Sequence, residues 1–183
     1  MILQQEFYFV RHGQTDQNLL EGKEKVDHTN DIPLNQTGRA QAVAIEPIIA
    51  RLPIKTICTS PMKRAQETKN IIVPRLQAPH HEIDDLGECS ANIWKEMVHL
   101  GMYSPIPNTG ETHLFMQRIR KGLNKALSLP GPSLIVAHGG VHWAICCLMN
   151  IKAHAWRLEN CEIVHFSIDT AGQWTAKKIS NFF

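Results

Sequence analysis

Three short polar signatures carry the reactive residue types of this 183-residue chain. Arg11-His12-Gly13 follows the apolar run Phe7-Tyr8-Phe9-Val10. Ser60-Pro61-Met62-Lys63-Arg64 follows Lys55-Thr56-Ile57-Cys58-Thr59, and His138-Gly139-Gly140 follows Ser133-Leu134-Ile135-Val136-Ala137. Arginine offers bidentate donors that match phosphate oxygens. Histidine can serve as nucleophile, acid/base group or metal ligand, and Gly13 lets the backbone turn sharply and approach whatever binds there. An anion site beside a reactive imidazole is the chemistry these types support, and a phosphoryl group is the anion they suit best. Any one signature alone reads equally well as a basic strand end with a surface histidine.

Positioning these residues falls to the elements around them. Each preceding run is short and rich in β-formers, so each reads as a strand. Neighbouring parallel strands in an open α/β sheet bring their carboxyl ends to one crevice, where ligands bind. Helices beginning near Pro61 and Gly140 would add free N–H groups and partial positive charge there. Leu19 to Gln36 is polar and aperiodic and reads as a long loop. Asn35 or Thr37 can cap the next helix, which runs to about Leu52 with Ala40, Val43, Ala44, Ile48 and Leu52 as its apolar stripe and Pro47 as a kink point. Ser60-Pro61 supplies a cap and a first-turn proline for a helix through Arg64, Glu67, Thr68 and Ile72. Residues 79–88 read as extended, and 89–110 as a short helix followed by irregular chain with Pro105 and Pro107. Gly110-Glu111-Thr112 opens a further helix with Leu114, Phe115, Ile119, Leu123 and Leu127 on one face, and a buried helix spans Val141 to about Met149. Ile163–Ile168 and Trp174–Ile179 read as antiparallel strands closing the sheet. One α/β domain over residues 1–183 is the expectation.

Bulk properties exclude several classes. With 43% hydrophobic and 20% charged residues the chain has a globular composition, and a formal charge of +2 gives no argument for nucleic acid or an anionic membrane as partner. Cys58, Cys89, Cys146, Cys147 and Cys161 are odd in number and lack a C-x-x-C pair, so a reducing cytoplasm is expected, with neither a disulfide framework nor a zinc knuckle. No targeting signal or membrane-spanning run is visible. His138 and His142 stand four apart, as ligands on a helix can, but H-E-x-x-H is absent, and no metal is expected. His80 and His81, beside Pro79, read as solvated loop residues. Trp94 and Trp143 fit either a substrate rim or the core. Cys89, beside Glu88, reads as an inert thiol. Phe182-Phe183 either docks on the domain or helps a dimer form, which leaves monomer and homodimer both open.

Beyond these signatures, ordered motifs span most of the chain: R-H-G-Q-T-x-x-N at 11–18, D-x-P-L-x-x-x-G at 31–38, S-P-x-x-R-A-x-E-T at 60–68, L-x-E at 86–88, G-E-T-x-x-F at 110–115 and V-x-H-G-G at 136–140. In this order they resemble the histidine phosphatase superfamily, the phosphoglycerate mutase-like group. The resemblance implies a three-layer α/β/α domain with a mostly parallel central sheet. It also implies that His12 is the nucleophile and forms a phosphohistidine that water hydrolyses. Arg11, Arg64 and His138 would hold the phosphoryl oxygens, assisted by Asn18 and the Gly139 amide, and Glu88 would be the general acid. No cofactor is implied. A nucleophilic imidazole must be neutral, and two nearby arginines favour that form. A general acid must carry its proton, which an adjacent anionic phosphate favours. A slipped local alignment would make Glu82, Asp84 or Asp85 the acid instead.

Within that group, mutases carry a longer insertion between L-x-E and G-E-T that supplies arginines for the substrate carboxylate. Here residues 89–108 contain only Lys95 as a formal cation, and Lys23-Glu24-Lys25-Val26 stands where R-x-Q-G is expected. Trp94-Lys95-Glu96 stands in place of W-E-G, so the rim differs. Hydrolysis is therefore expected, with a small phosphorylated metabolite or a phosphoprotein as substrate and inorganic phosphate as product. The alternatives are a phosphoglycerate mutase, a phosphohistidine protein phosphatase, or a phosphate-binding module without turnover.

Overall fold

The alternation of side chains along two central strands sets the layering. In β1 (Phe7–Arg11) and β4 (Ser133–Ala137) every residue is buried, as expected for parallel strands covered on both faces. Phe7, Phe9, Ile135 and Ala137 join one core cluster, and Tyr8, Val10, Leu134 and Val136 join another. Successive side chains of a strand point to opposite faces, so the two clusters lie on opposite sides of the sheet. The first takes Phe115, Ile119 and Leu123 from α5 (Gly110–Leu127), Ile145 from α6 (Gly139–Leu148) and Met97 from α4 (Ala91–Leu100). The second takes Ala42 and Ile49 from α2 (Gln36–Ile49) and Ala65 and Ile72 from α3 (Lys63–Ile72). This computed structural model describes residues 1–20, 29–100, 107–152, 154 and 157–179. It shows the three-layer α/β/α arrangement the resemblance implies.

The six-stranded sheet has the order β3-β2-β4-β1-β5-β6, with β2 at Thr56–Thr59, β3 at His80–Glu82, β5 at Ile163–Ile168 and β6 at Trp174–Ile179. The first four strands are mutually parallel, and β5 and β6 are antiparallel as expected. Register then decides where the signatures meet. Arg11 lies opposite Ala137 and Thr59 opposite Val136, so His12, His138 and Ser60 leave the sheet side by side. The ladder continues one step past the strands, with His12 N–H donating to the Ala137 carbonyl (2.9 Å) and Ser60 N–H to that of Val136 (3.1 Å).

Several boundaries and faces differ from expectation. The long loop after β1 begins with a short helix, α1 (Asp16–Leu20); residues 21–28, Pro105 and Phe182-Phe183 lie outside the described residues. Asn35, not Thr37, caps α2 by accepting from the Gly38 amide at 2.9 Å. The helix ends at Ile49 and buries Gly38, Ala42 and Ile49, whereas Val43 is 62% exposed. Gly38 sets this rotation: a Cβ there would stand 2.1 Å from the Gln14 carbonyl oxygen, so the bare backbone must face β1's exit. Pro47 sits inside α2 at a cost of about 3 kcal/mol. Burial of Ile49, with half-buried Ile45 and Ile48, is of comparable size and keeps the last turn helical. In α5 the inward face carries Phe115, Met116, Ile119, Leu123 and Leu127, while Leu114 is 63% exposed. His80 and His81 form an edge strand, not a loop, paired with Ile57 and Cys58. No helix among the described residues is long and apolar enough to cross a membrane.

Candidate active site

The helix after β2 begins at Lys63, two residues later than Ser60-Pro61 suggests, and Ser60 does not cap it. The Asp31 carboxylate takes that place, accepting from the Lys63 amide at 2.5 Å. Ser60 Oγ accepts from the Met62 amide at 3.4 Å and lies 2.7 Å from His138 Nε2. The surrounding motif residues are likewise braces. Thr68 accepts the Gly13 amide at 2.9 Å, and Glu67 accepts from the Leu34 amide (3.2 Å) and from Arg39 (3.1 Å). A Cβ on Gly13 would lie 2.5 Å from the Gly38 carbonyl oxygen, so both glycines are required where the two backbones cross.

His12 is 3% exposed and His138 fully buried, with ring centroids 5.2 Å apart. His12 Nδ1 stands 2.8 Å from the Gly13 carbonyl, which can only accept, so this nitrogen carries the hydrogen. The Arg64 Nε–H donates to Nε2 at 3.3 Å, so Nε2 offers a lone pair. Both contacts are satisfied only by the neutral Nδ1–H tautomer. Arg64 is 2% exposed, and its Nη1 donates to the Asn30 carbonyl at 2.9 Å. Burial draws Arg64 below its ordinary value; Glu88 and Asp31 oppose this, and the Arg11 charge adds to it. Arg11 donates to the Leu158 carbonyl at 2.6 Å, and the Cβ direction of Gly139 comes within 3.7 Å of its Nε. Arg11, His12, Arg64, His138 and Gly139 are thus brought together.

Burial, then the charges of Arg64, His12, Arg11 and Arg118, holds His138 well below the ordinary histidine range, so it is neutral. Its Nδ1 is buried and has no hydrogen-bond partner among the described residues. A buried nitrogen left this way is rare and points to a partner that arrives from outside. His142, four residues on, turns to a different place. Its Nε2 lies 3.2 Å from His154 Nε2 and 3.7 Å from Cys146 Sγ, between the Phe9 and Phe166 rings.

Glu88 reaches the amino end of α6. Its carboxylate accepts from the Gly140 amide (3.1 Å to Oε1, 3.3 Å to Oε2) and from the Cys89 amide at 3.0 Å. The alternative acids are directed elsewhere. Glu82 binds Gln66 at 2.9 Å on the outer strand, Asp85 pairs with Lys121 at 3.1 Å, and Asp84 is exposed. Asn18 Oδ1 accepts from the Thr15 amide (2.9 Å) and hydroxyl (3.1 Å), closing the first turn of α1 as a capping box does. Cys89 is buried, and burial followed by the Glu88 charge drives its thiol far up, which suits an inert role. Trp143 is 5% exposed in the core, and Trp94 packs half-buried against the same cluster.

Two contributors lie outside the sequence signatures. Asn160 Nδ2 donates to the His12 carbonyl (2.9 Å) and to Asn18 Oδ1 (3.3 Å), and Arg118 braces the chain around Glu88. Neither belongs to the motifs above, and both reach backbone carbonyls that no residue pattern displays.

His138 and His154 also make stability depend on pH. Burial lowers both, with Lys178 adding at His154 and Glu162 opposing. In the unfolded chain each would titrate near about 6.5. Below that pH the unfolded state binds protons that the folded state refuses. Their contribution is therefore complete above about 6.5 and is lost as pH falls toward the folded values. Each costs up to about 1.4 kcal/mol per pH unit. Thermal melting between pH 7.5 and 5 should show a falling Tm, with a shallower fall in His154→Gln. A flat Tm over that range would contradict both shifts.

A doubly covered, mostly parallel sheet, with two histidines and two arginines gathered at its carboxyl edge, is the phosphoglycerate mutase-like fold with a candidate anion site at that edge. The chain belongs to the histidine phosphatase superfamily (branch 1), whose model matches residues 7–181. It is 31% identical to the uncharacterized phosphatase PhoE of Bacillus subtilis over 181 residues, covering 84% of this chain and 92% of that protein. It is also 31% identical over 187 residues to agropine synthesis reductase of Rhizobium rhizogenes, covering 94% of this chain but only 41% of that relative, about two fifths of its length. The crystal structure of phosphoglycerate mutase from Thermus thermophilus shares the fold with a TM-score of 0.66 at 19% identity, over 96% of this chain and 99% of that one. A phosphatase and a mutase thus both stand among its neighbours.

Proposed function

We propose that the protein is a phosphomonoester hydrolase working through a phosphohistidine at His12, on a small phosphorylated metabolite or a phosphorylated protein side chain. The observation that carries this is the fixed tautomer of His12: Nδ1–H is held by the Gly13 carbonyl, and the Nε2 lone pair meets a buried guanidinium. Nε2 attacks phosphorus, the ester P–O bond breaks, and Glu88 gives its proton to the departing oxygen. Water then attacks the phosphohistidine, the N–P bond breaks, and inorganic phosphate leaves as Glu88 recovers a proton. Arg11, Arg64, the Gly139 amide and the unpartnered His138 Nδ1 meet the equatorial oxygens, whose charge grows in a loose transition state. Asn18 has its oxygen engaged with Thr15, so its part in the pocket falls to Nδ2.

With two guanidinium groups to offset the oxygens' charge, we assign no metal to the reaction. Protein treated with chelator should hydrolyse p-nitrophenyl phosphate and be inhibited by vanadate, which mimics the five-coordinate transition state. Phosphate trapped on the protein should be lost in acid and retained in alkali, as an N–P bond is. Stoichiometric phosphate binding without hydrolysis over a broad phosphoester panel would instead leave a binding module. The second reading, a phosphoglycerate mutase, predicts stimulation by bisphosphoglycerate. Lys95 as the sole formal cation of residues 89–108 weighs against it, because a mutase must retain a doubly phosphorylated intermediate.

A further inference from the structure

The carbonyl groups leading to Glu88 converge on a single cation from another layer of contacts. Arg118, on α5, donates through Nη1 to the carbonyls of Asp85 (3.1 Å) and Gly87 (2.9 Å) and through Nη2 to that of Glu88 (3.2 Å). Its guanidinium also lies 5.0 Å from the centre of the Phe115 ring. The Asp85 carbonyl belongs to a single turn of 3-10 helix, Asp84–Leu86, that packs directly on α5, and those of Gly87 and Glu88 follow it. A Cβ on Gly122 would meet Asp85 Cβ at 2.8 Å, and one on Gly87 would meet Arg118 Nη1 at 3.2 Å. Turn and helix therefore fit without spare room. Carbonyl dipoles aimed at one point repel each other unless a cation sits there, and a planar guanidinium with five N–H donors can serve them together.

We propose that Arg118 is the positioning residue for Glu88: by gripping the backbone on either side of Gly87, it fixes where the acid's carboxyl group stands relative to the leaving oxygen. The inference rests on the reading of Glu88 as general acid. Arg118 grips carbonyls and leaves the Glu88 carboxylate to the Gly140 and Cys89 amides. A cation thus holds the acid's main chain while the carboxyl group is held at the site by amides. Fixing a reacting group matters because a misplacement of about 1 Å can cost on the order of a hundredfold in rate.

The test uses leaving groups. p-Nitrophenolate is a weak base and departs without a proton, whereas the alkoxide of glycerol phosphate needs one. Because kcat/KM reports steps through formation of the phosphoenzyme, it isolates the acid's part from later hydrolysis. Glu88→Gln should lower kcat/KM for glycerol phosphate about a hundredfold and for p-nitrophenyl phosphate less than about tenfold. Arg118→Met should show the same selectivity, its glycerol phosphate to p-nitrophenyl phosphate ratio falling at least about tenfold, with Arg118→Lys between it and the parent. If Arg118→Met depresses both substrates equally, or neither, while Glu88→Gln shows the selectivity, Arg118 does not position the acid. If Glu88→Gln itself lacks the selectivity, the reading of Glu88 fails and this inference with it. Should far-UV circular dichroism show Arg118→Met unfolded, Arg118→Gln answers through the same ratio.

Discussion

Replacing His12 with alanine should lower turnover of p-nitrophenyl phosphate at least about a thousandfold and abolish the acid-labile phosphoenzyme. The size follows from what disappears. On the proposed mechanism Arg11, Arg64 and His138 would still bind and polarise the phosphoryl group, but the two-step route through an N–P bond would be closed. Direct attack by water must then replace a nucleophile held in place from both sides. Those holds are specific: the Gly13 carbonyl orients the ring at Nδ1, and Asn160 fixes the His12 carbonyl at 2.9 Å. The companion variant, His138→Ala, decides which imidazole is phosphorylated. His138 Nε2 is already engaged with Ser60 at 2.7 Å, so it is assigned to oxygen binding. His138→Ala should slow formation of the phosphoenzyme yet leave it detectable. Trapped phosphate that persists in His12→Ala and vanishes in His138→Ala would exchange the two roles.

How much of this the sequence displays depends on whether a residue acts through its side chain or through its backbone neighbours. The strands that end at Arg11, Thr59 and Ala137 announce themselves by β-branched and aromatic runs, and parallel pairing alone brings His12, Ser60 and His138 together. The rotation of α2 was not legible. Ala40, Val43 and Ala44 obey a helical period as well as Gly38, Ala42 and Ile49 do, and the choice is made by the contact of Gly38 with the Gln14 backbone, a tertiary event. Leu114 misled in the same way, one position from a face set by Phe115 and Ile119. The start of α3 differs from expectation because Ser60-Pro61 is a good local cap in sequence terms only. The Lys63 amide is instead served by Asp31, thirty-odd positions away, while Ser60 meets His138.

The same distinction sorts the motifs by task. Thr68 and Glu67 look like part of the reactive signature at 60–68, yet their bonds to Gly13, Leu34 and Arg39 make them the scaffold that holds the His12 turn against the second helix. Asn18 stands between the two classes, its oxygen spent on the α1 turn and on Asn160. The converse case is Arg118, which no motif includes although it reaches the backbone of the proposed acid.

Arg64 is where charge and geometry can be separated by experiment. Arg64→Ala should reduce kcat/KM about a hundredfold to a thousandfold, the range expected when a preorganised donor to developing charge is lost. Arg64→Lys keeps the charge but not the planar fork. It cannot both mark the His12 lone pair through Nε and hold the Asn30 carbonyl through Nη1, so a loss of about tenfold to a hundredfold is expected. The pH profiles should then diverge. After burial itself, Arg64 is the largest influence keeping His138 neutral. Removing the cation lets His138 take a proton at higher pH, so the acid limb of kcat/KM should move upward in Arg64→Ala and stay near its original position in Arg64→Lys. Equal displacement of the limb in both variants would show that the fork and not the charge sets the protonation of this pocket. An Arg64→Ala rate within threefold of the parent would remove Arg64 from the phosphoryl site altogether.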